Sequence, residues 1–228
     1  MPLMTREIRW FFDGSLADTG AATAAWFTQS VARGEKSPAI SPEDWRTDRY
    51  LFLPQVDDLG IKLRQDRWEI KGRHALIGIQ RFGEGIEGEV ACWTKWAIAA
   101  PGESGGGHSA IAACAIVDIA KQRIRRAARF TQDGAFEIAA RQENAAREID
   151  RGLHMELTRI RVAGARRDSH WSLGFEAFPD DPSACALFAE AICALLEGCP
   201  AKPLSAEGSM SYPRWLQRLG ARIKPGAC

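Results

Sequence analysis

Charged side chains stand at every second position in several short apolar segments of this 228-residue chain. Glu7 and Arg9 lie in TREIRWFF, Lys62 and Arg64 in GIKLR, and Glu69, Lys71 and Arg73 in WEIKGR. Lys121, Arg123 and Arg125 lie in AKQRIRR, Glu156 in HMELTRI and Glu176 in SLGFEAF. Residues i, i+2 and i+4 of an extended strand share one face. If these segments belong to one curved sheet, a single face carries many cations and a few carboxylates, a surface suited to a polyanion held with a divalent metal. The plain alternative for any one strand is a solvated outer face.

Bulk charge cannot supply such a site. The formal net charge is +1, so the whole molecule exerts little long-range pull on nucleic acid or membranes. An anion site must arise from local segregation of charge. Hydrophobic residues make up 46% and charged residues 26%, as in an ordinary soluble globular protein, and the length allows a sizeable core. The six cysteines include no C-x-x-C pair, which argues against a zinc knuckle or a thioredoxin-type motif. Cys185 and Cys193 fall in an apolar helical stretch, where a free thiol packs as a small hydrophobe. The N-terminal stretch MPLMTREIRW lacks the charge and apolar pattern of a signal peptide. No apolar run approaches the roughly 20 residues of a membrane span. The expectation is a cytoplasmic, reduced protein with no membrane partner.

Turn residues divide the chain into short extended segments. Strands are expected at Leu3–Phe12, from Tyr50 to Leu53, at Ile61–Arg64, Arg67–Arg73 and Glu89–Ala97, and through the first part of Ala115–Phe130. Further strands are expected at Gly134–Ala140, Leu153–Val162 and Trp171–Phe178. Gln65-Asp66 reads as a short hairpin connection. Arg33–Asp44 reads as a loop and Ala100–Ser109, containing PGESGGGHS, as a flexible connector. Helices are expected at Ala21–Ala32, at Pro182–Leu196 and around Tyr212–Leu219, the second with Pro182 early and Gly198 just past its end. The fold class that follows is α+β: an antiparallel β-barrel or strongly curved, tunnel-like sheet with helices at its ends. The whole chain reads as a single domain of residues 1–228, with barrel strands within 3–178 and C-terminal helices within 182–219.

The order of these segments resembles the CYTH, or triphosphate tunnel, superfamily. Its first strand reads E-x-E-x-K; here Thr5-Arg6-Glu7-Ile8-Arg9 is similar, with Glu7 at the second acid, Arg9 for the lysine and Thr5 where the first acid would stand. Asp48-Arg49-Tyr50-Leu51 followed by Leu59-Gly60-Ile61-Lys62-Leu63-Arg64 resembles the next landmark. Glu69-Ile70-Lys71-Gly72-Arg73, Lys121-Gln122-Arg123-Ile124-Arg125, Met155-Glu156-Leu157-Thr158 and Gly174-Phe175-Glu176-Ala177-Phe178 are similar to later basic and acidic strands.

The resemblance implies that a triphosphate or polyphosphate compound, a small phosphorylated anion, binds inside a basic β-tunnel. Arg9, Lys62, Arg64, Lys71, Arg73, Lys121, Arg123 and Arg125 would bind phosphates, by bidentate forks from arginine and point charges from lysine. Glu7, Glu156 and Glu176 would hold Mg²⁺ or Mn²⁺ or orient the attacking water. Three readings stay open: a metal-dependent triphosphatase-type phosphohydrolase, a non-catalytic anion- or nucleotide-binding module that has lost part of its metal site, and a structural or protein-interaction barrel with its charges paired internally. The threonine at position 5 favours the second; the three glutamates favour the first. Other motifs carry less. Gly105-Gly106-Gly107 lacks the G-K-[ST] ending of a phosphate loop. His74, His108, His154 and His170 have no close metal-ligand spacing. The eight tryptophans are scattered through apolar runs as core residues are, so no specific nucleic-acid partner is expected.

Overall fold

The computed structural model describes residues 3–13, 17–29, 42–99, 116–131, 136–138, 149–163, 170–201 and 203–220. In chain order they form β1 (Leu3–Asp13), α1 (Ala17–Gln29), β2 (Arg46–Leu51), β3 (Leu59–Arg64), β4 (Arg67–Arg81), β5 (Glu87–Ala99), β6 (Ile116–Phe130), β7 (Phe136–Ile138), β8 (Gly152–Val162) and β9 (His170–Phe178). Then follow α2 (Pro182–Leu195), one 3₁₀ turn (Ala206–Gly208) and α3 (Tyr212–Gly220). Eight strands close a ring in the order β2-β3-β4-β5-β1-β9-β8-β6, completed by the pairing of β6 with β2. Short β7 lies outside the ring on β6. All neighbours are antiparallel. The expected α+β barrel is the fold.

Local chemistry sets the curvature. The β3–β4 hairpin turns at Gln65 and Asp66, both with positive φ (45° and 58°), the two-residue turn whose twist matches its strands. β4 bends at two register shifts against β5, between Arg73 and Ala75 and between Leu76 and Gly78. Such bulges add local twist. Gly78 takes a φ of 99° there, a conformation open to glycine.

Several boundaries differ from expectation. β2 begins at Arg46 and ends at Leu51, because its pairing with β6 starts four residues before Tyr50. β4 runs on to Arg81, carried past Arg73 by its long partner β5. β6 is extended over its full length. Its ambiguous period is resolved by having strands on both edges. β7 is a short piece of the expected Gly134–Ala140 strand. α1 begins at Ala17 rather than Ala21. The Ala100–Ser109 connector and residues 33–41 of the expected loop lie outside the described residues, as do residues 30–32 of the expected helix.

The apolar core lies outside the barrel wall. Ile8 and Trp10 of β1, Leu153, Met155 and Leu157 of β8, and Leu173 and Phe175 of β9 are buried against Phe27 of α1 and Leu187, Phe188, Ala191 and Ile192 of α2. α2 starts on Asp181, whose carboxylate accepts the Ala184 N–H at 2.7 Å, with Pro182 next in sequence. Its buried residues recur at helical spacing. Cys193 points away from this core and donates its S–H to the Phe82 carbonyl, so the expected packed thiol is an exposed one. Of the tryptophans, Trp10, Trp93 and Trp215 are buried while Trp45 and Trp96 are exposed. Among the described residues no helix is long and apolar enough to cross a membrane.

A second cluster closes one end of the ring. Ile119, Ile160, Val162 and Tyr50 pack with Met210, Trp215, Leu216 and Leu219, and Phe11 stacks on Trp215 at 4.8 Å. Ile119, Ile160 and Phe11 share strand faces with Lys121, Glu156 and Arg9 (period two again). Apolar residues at one end of those faces therefore hold α3 in place. The chain leading into α3 is tied to β1 by the Met210 N–H, which donates to the Arg9 carbonyl at 2.9 Å.

Candidate anion-binding site

The inward face of the ring surrounds a cavity of about 170 Å³. Its lining holds eight cations: Arg9 from β1, Arg46 from β2, Lys62 and Arg64 from β3, Lys71 from β4, Lys95 from β5, and Lys121 and Arg123 from β6. Five carboxylates face the same space: Glu7, Glu69, Glu89, Glu156 and Glu176. Trp93, Tyr50 and Tyr212 supply aromatic wall, and Met210, Ser211 and Pro213 line it from the α3 end.

Asp48 organises one wall. It is fully buried, and Arg64 donates to both its oxygens at 2.8 and 2.9 Å. Lys62 donates to Asp48 at 3.2 Å, while Lys121 and Arg46 stand 3.8 and 3.7 Å away. Burial alone would raise the Asp48 pKa, but the Arg64 hydrogen bonds and the charges of Lys62 and Lys121 outweigh it and hold the carboxyl well below its usual range. Lys62 is pushed down to about 8 by burial, only partly offset by Asp48. Lys121 lies well below the ordinary lysine range because it is buried and Lys62 is near. Its ammonium sits 3.7 Å from the Tyr212 ring centroid and donates to the Tyr50 hydroxyl at 2.6 Å.

The opposite wall carries the glutamates. Glu7 and Glu176 face each other in register on β1 and β9. Lys71 pairs with Glu7 and lies 3.8 Å from Glu176. Burial, reinforced by Glu176, outweighs Lys71 and raises the Glu7 pKa. At Glu176 the nearby cations, Lys71 first, outweigh burial and lower it. Thr5, where the resemblance would place an acid, is fully buried and donates its hydroxyl to Glu7 Oε1 at 2.7 Å. Glu156 lies farther round the wall and is held by Arg123 at 3.0 Å and Arg9 at 3.2 Å. Those cations outweigh its burial and keep it well below the usual carboxylate range. Among the described residues, Glu7, Glu156 and Glu176 do not bring three ligand oxygens within 4.8 Å of one another.

Nine of the eleven residues expected from the sequence line the cavity: Glu7, Glu156, Glu176, Arg9, Lys62, Arg64, Lys71, Lys121 and Arg123. Arg73 does not; it pairs with Asp57 at 2.9 Å, 6.0 Å from the Trp93 ring centroid. Arg125 does not either, and pairs with Glu43 at 2.5 Å. His154 packs at a tilt against Phe178, ring centroids 4.4 Å apart, and is not part of the cavity lining. Sequence reasoning missed Arg46, Asp48, Glu69, Glu89, Lys95 and Tyr212. Glu69 was readable, because it falls at period two with Lys71, and Asp48 opens the segment Asp48-Arg49-Tyr50-Leu51 that carries part of the resemblance. Tyr212 was not, since it comes from a helix beyond the strands.

Gly174 makes room for Arg9. A Cβ there would stand 2.6 Å from the Arg9 guanidinium carbon, so the missing side chain lets Arg9 lie across β9 and donate to Ser172 at 2.9 Å.

No protein-family description matches the chain, and no curated protein matches it. Among solved structures, the S. pombe Pct1 RNA triphosphatase in complex with the Spt5 CTD superposes with a TM-score of 0.37 and 11% sequence identity. The match covers 97% of this chain and 85% of that one. Likeness at that level assigns no role to any residue.

Proposed function

We propose that this chain is a divergent CYTH-like protein that binds a triphosphate or polyphosphate compound inside its barrel. One observation carries the reading: six ring strands direct eight lysine and arginine side chains into one cavity, in a chain whose net charge is only +1. The cations are balanced in part by buried acids, so each is held in place before a ligand arrives. A polyanion entering the cavity takes over the ion pairs that Arg9, Arg64 and Arg123 now make with carboxylates. Desolvation inside the ring strengthens those contacts.

The reading extends to metal-dependent hydrolysis through Glu7 and Glu176. Their paired carboxylates are hard oxygen donors, and they already share one cation, Lys71. That donor set fits a Mg²⁺ or Mn²⁺ ion that keeps several waters and uses one or two carboxylates plus phosphate oxygens. When bound, the ion supplies neutralisation of phosphate charge and alignment of the transferring group. Arg9, Lys62, Arg64 and Lys121 then fix the phosphate chain, and Glu156 stays ionised between Arg9 and Arg123. A non-catalytic binder is the second reading, favoured by Thr5 in place of an acid and by the engagement of Glu156 with two arginines.

A thermal-shift titration with tripolyphosphate, with and without Mg²⁺ or Mn²⁺ at fixed ionic strength, tests both. Ligand at about 100 times its Kd stabilises the fold by about 2.7 kcal/mol, or roughly 5–11 °C for a chain of this size. Sulfate should give far less. Phosphate release that requires the metal and is lost in Glu176→Ala marks an enzyme, and stabilisation without release marks a binder. No saturable shift above that of sulfate removes the proposal.

A further inference from the structure

On the outer side of the same wall lies a second constellation that the cavity does not use. His74, Cys92 and Asp180 bring one ligand atom each to within 4.8 Å of one another. We propose that they form a binding site for a zinc-type divalent cation, with three protein ligands and the fourth position open to water. The residues come from β4, β5 and the turn after β9, so no spacing in the sequence announces them.

Three features of the geometry point to a ligand set. His74 is the extra residue of a bulge: Arg73 faces Trp93 and Ala75 faces Cys92, leaving His74 without an opposite number. Bulges re-aim side chains in this way, and here the ring is turned onto the Cys92 side of the sheet. Its Nδ1 lies 3.1 Å from the Thr94 hydroxyl, which fixes the ring with Nε2 towards Asp180 Oδ2 at 4.0 Å. A hydrogen bond on the far nitrogen is the usual support of a metal-binding histidine.

Asp180 is oriented from the other side. Arg6 donates to Oδ1 at 3.1 Å, and the Cys185 thiol donates to the same oxygen at 3.4 Å. That leaves Oδ2 turned to His74. Ligands about 2.0–2.3 Å from a tetrahedral zinc stand roughly 3.3–3.8 Å apart, so His74 Nε2 and Asp180 Oδ2, 4.0 Å apart, need draw together only slightly around an ion. Sulfur, imidazole and carboxylate donors together select zinc over magnesium or calcium. Cys92 is 3% exposed and His74 lies at the surface, so the site has a buried anchor and an open approach. Binding would release the Cys92 thiol proton and clamp the turn that leads into α2 to the β4–β5 hairpin. The site is independent of the phosphate reading, because neighbouring Ala91 and Trp93 face the cavity while Cys92 faces away.

The test is a titration of the metal-stripped full chain with Co²⁺ and then Zn²⁺ in reducing buffer. The expected result is one equivalent of Co²⁺ showing thiolate-to-cobalt charge transfer, displaced by Zn²⁺, with a zinc-dependent rise in thermal midpoint. His74→Ala, at an exposed position, should fold and lose at least about tenfold in zinc affinity. Cys92→Ser should abolish the charge-transfer band, whereas Cys185→Ser and Cys193→Ser should keep it. Absence of the band, or a zinc affinity unchanged in His74→Ala, overturns the proposal.

Discussion

Asp48→Asn isolates the balance of charge inside the barrel. The substitution keeps size and shape and removes one negative charge at a fully buried position. In the parent, Arg64 makes two hydrogen bonds to Asp48, and Lys62 and Lys121 stand at 3.2 and 3.8 Å. Breaking a buried ion pair by removing one partner costs about 3–5 kcal/mol, because the other charge is left uncompensated. Glu69 still serves Lys62 at 3.1 Å and Arg64 at 3.0 Å, which places the cost at the low end, about 3 kcal/mol. For a chain of this length that lowers the thermal midpoint by roughly 6–12 °C.

Two further consequences make the test specific. Asp48 has a folded-state pKa below its unfolded value, so its contribution is complete above the unfolded pKa and is lost as pH falls towards the folded one. The gap between parent and variant should therefore narrow below about pH 4. Tripolyphosphate, if it lies among Lys62, Arg64 and Lys121, restores the missing charge and should stabilise the variant more than the parent. Urea unfolding at several pH values, with and without tripolyphosphate, measures all three effects. A loss under about 1 kcal/mol, small against the 3–5 kcal/mol expected for a broken buried pair, refutes the reasoning about the wall. Equal stabilisation of both proteins by the ligand refutes its placement there.

Other outcomes follow from the same geometry. Gly174→Ala should push the Arg9 guanidinium off β9; tripolyphosphate affinity is expected to fall about tenfold, or 1.4 kcal/mol, while circular dichroism shows an intact fold. Lys62 has a folded pKa of about 8, below its unfolded value, so the unfolded chain binds more protons between about pH 8 and 10 and stability should rise with pH there. Lys121 acts in the same direction, and Lys62→Met should flatten the rise in the urea midpoint. Asp181→Ala removes the cap of α2 and should cost about 1 kcal/mol in chemical denaturation, with no effect on tripolyphosphate binding.

The alternation of charge along β1, β3, β4, β6, β8 and β9 was written in the sequence, because side chains of a strand alternate whatever the strand packs against. It selected the antiparallel barrel and nine residues of its lining. The Gln65-Asp66 turn and the helix beginning at Pro182 were legible for the same reason: their signals are local. Which cations reach the cavity was not. Arg73 and Arg125 share the period of their neighbours, yet Asp57 and Glu43 draw them into pairs outside the lining, and those acids are close only after the ring closes.

Tertiary structure alone decided three further matters. It placed Asp48 among Lys62, Arg64 and Lys121, making a wall of balanced pairs where the strands taken singly promised a basic one. It brought Tyr212 from the end of the chain to the cavity, because apolar residues at one end of the inward faces needed a cover and α3 supplied it. It gathered His74, Cys92 and Asp180 from separate segments onto the outer wall, through a bulge whose position depends on the register of β4 against β5. Periodicity fixes which face a residue occupies, whereas the partner it meets depends on ring closure and register, which are properties of the whole chain.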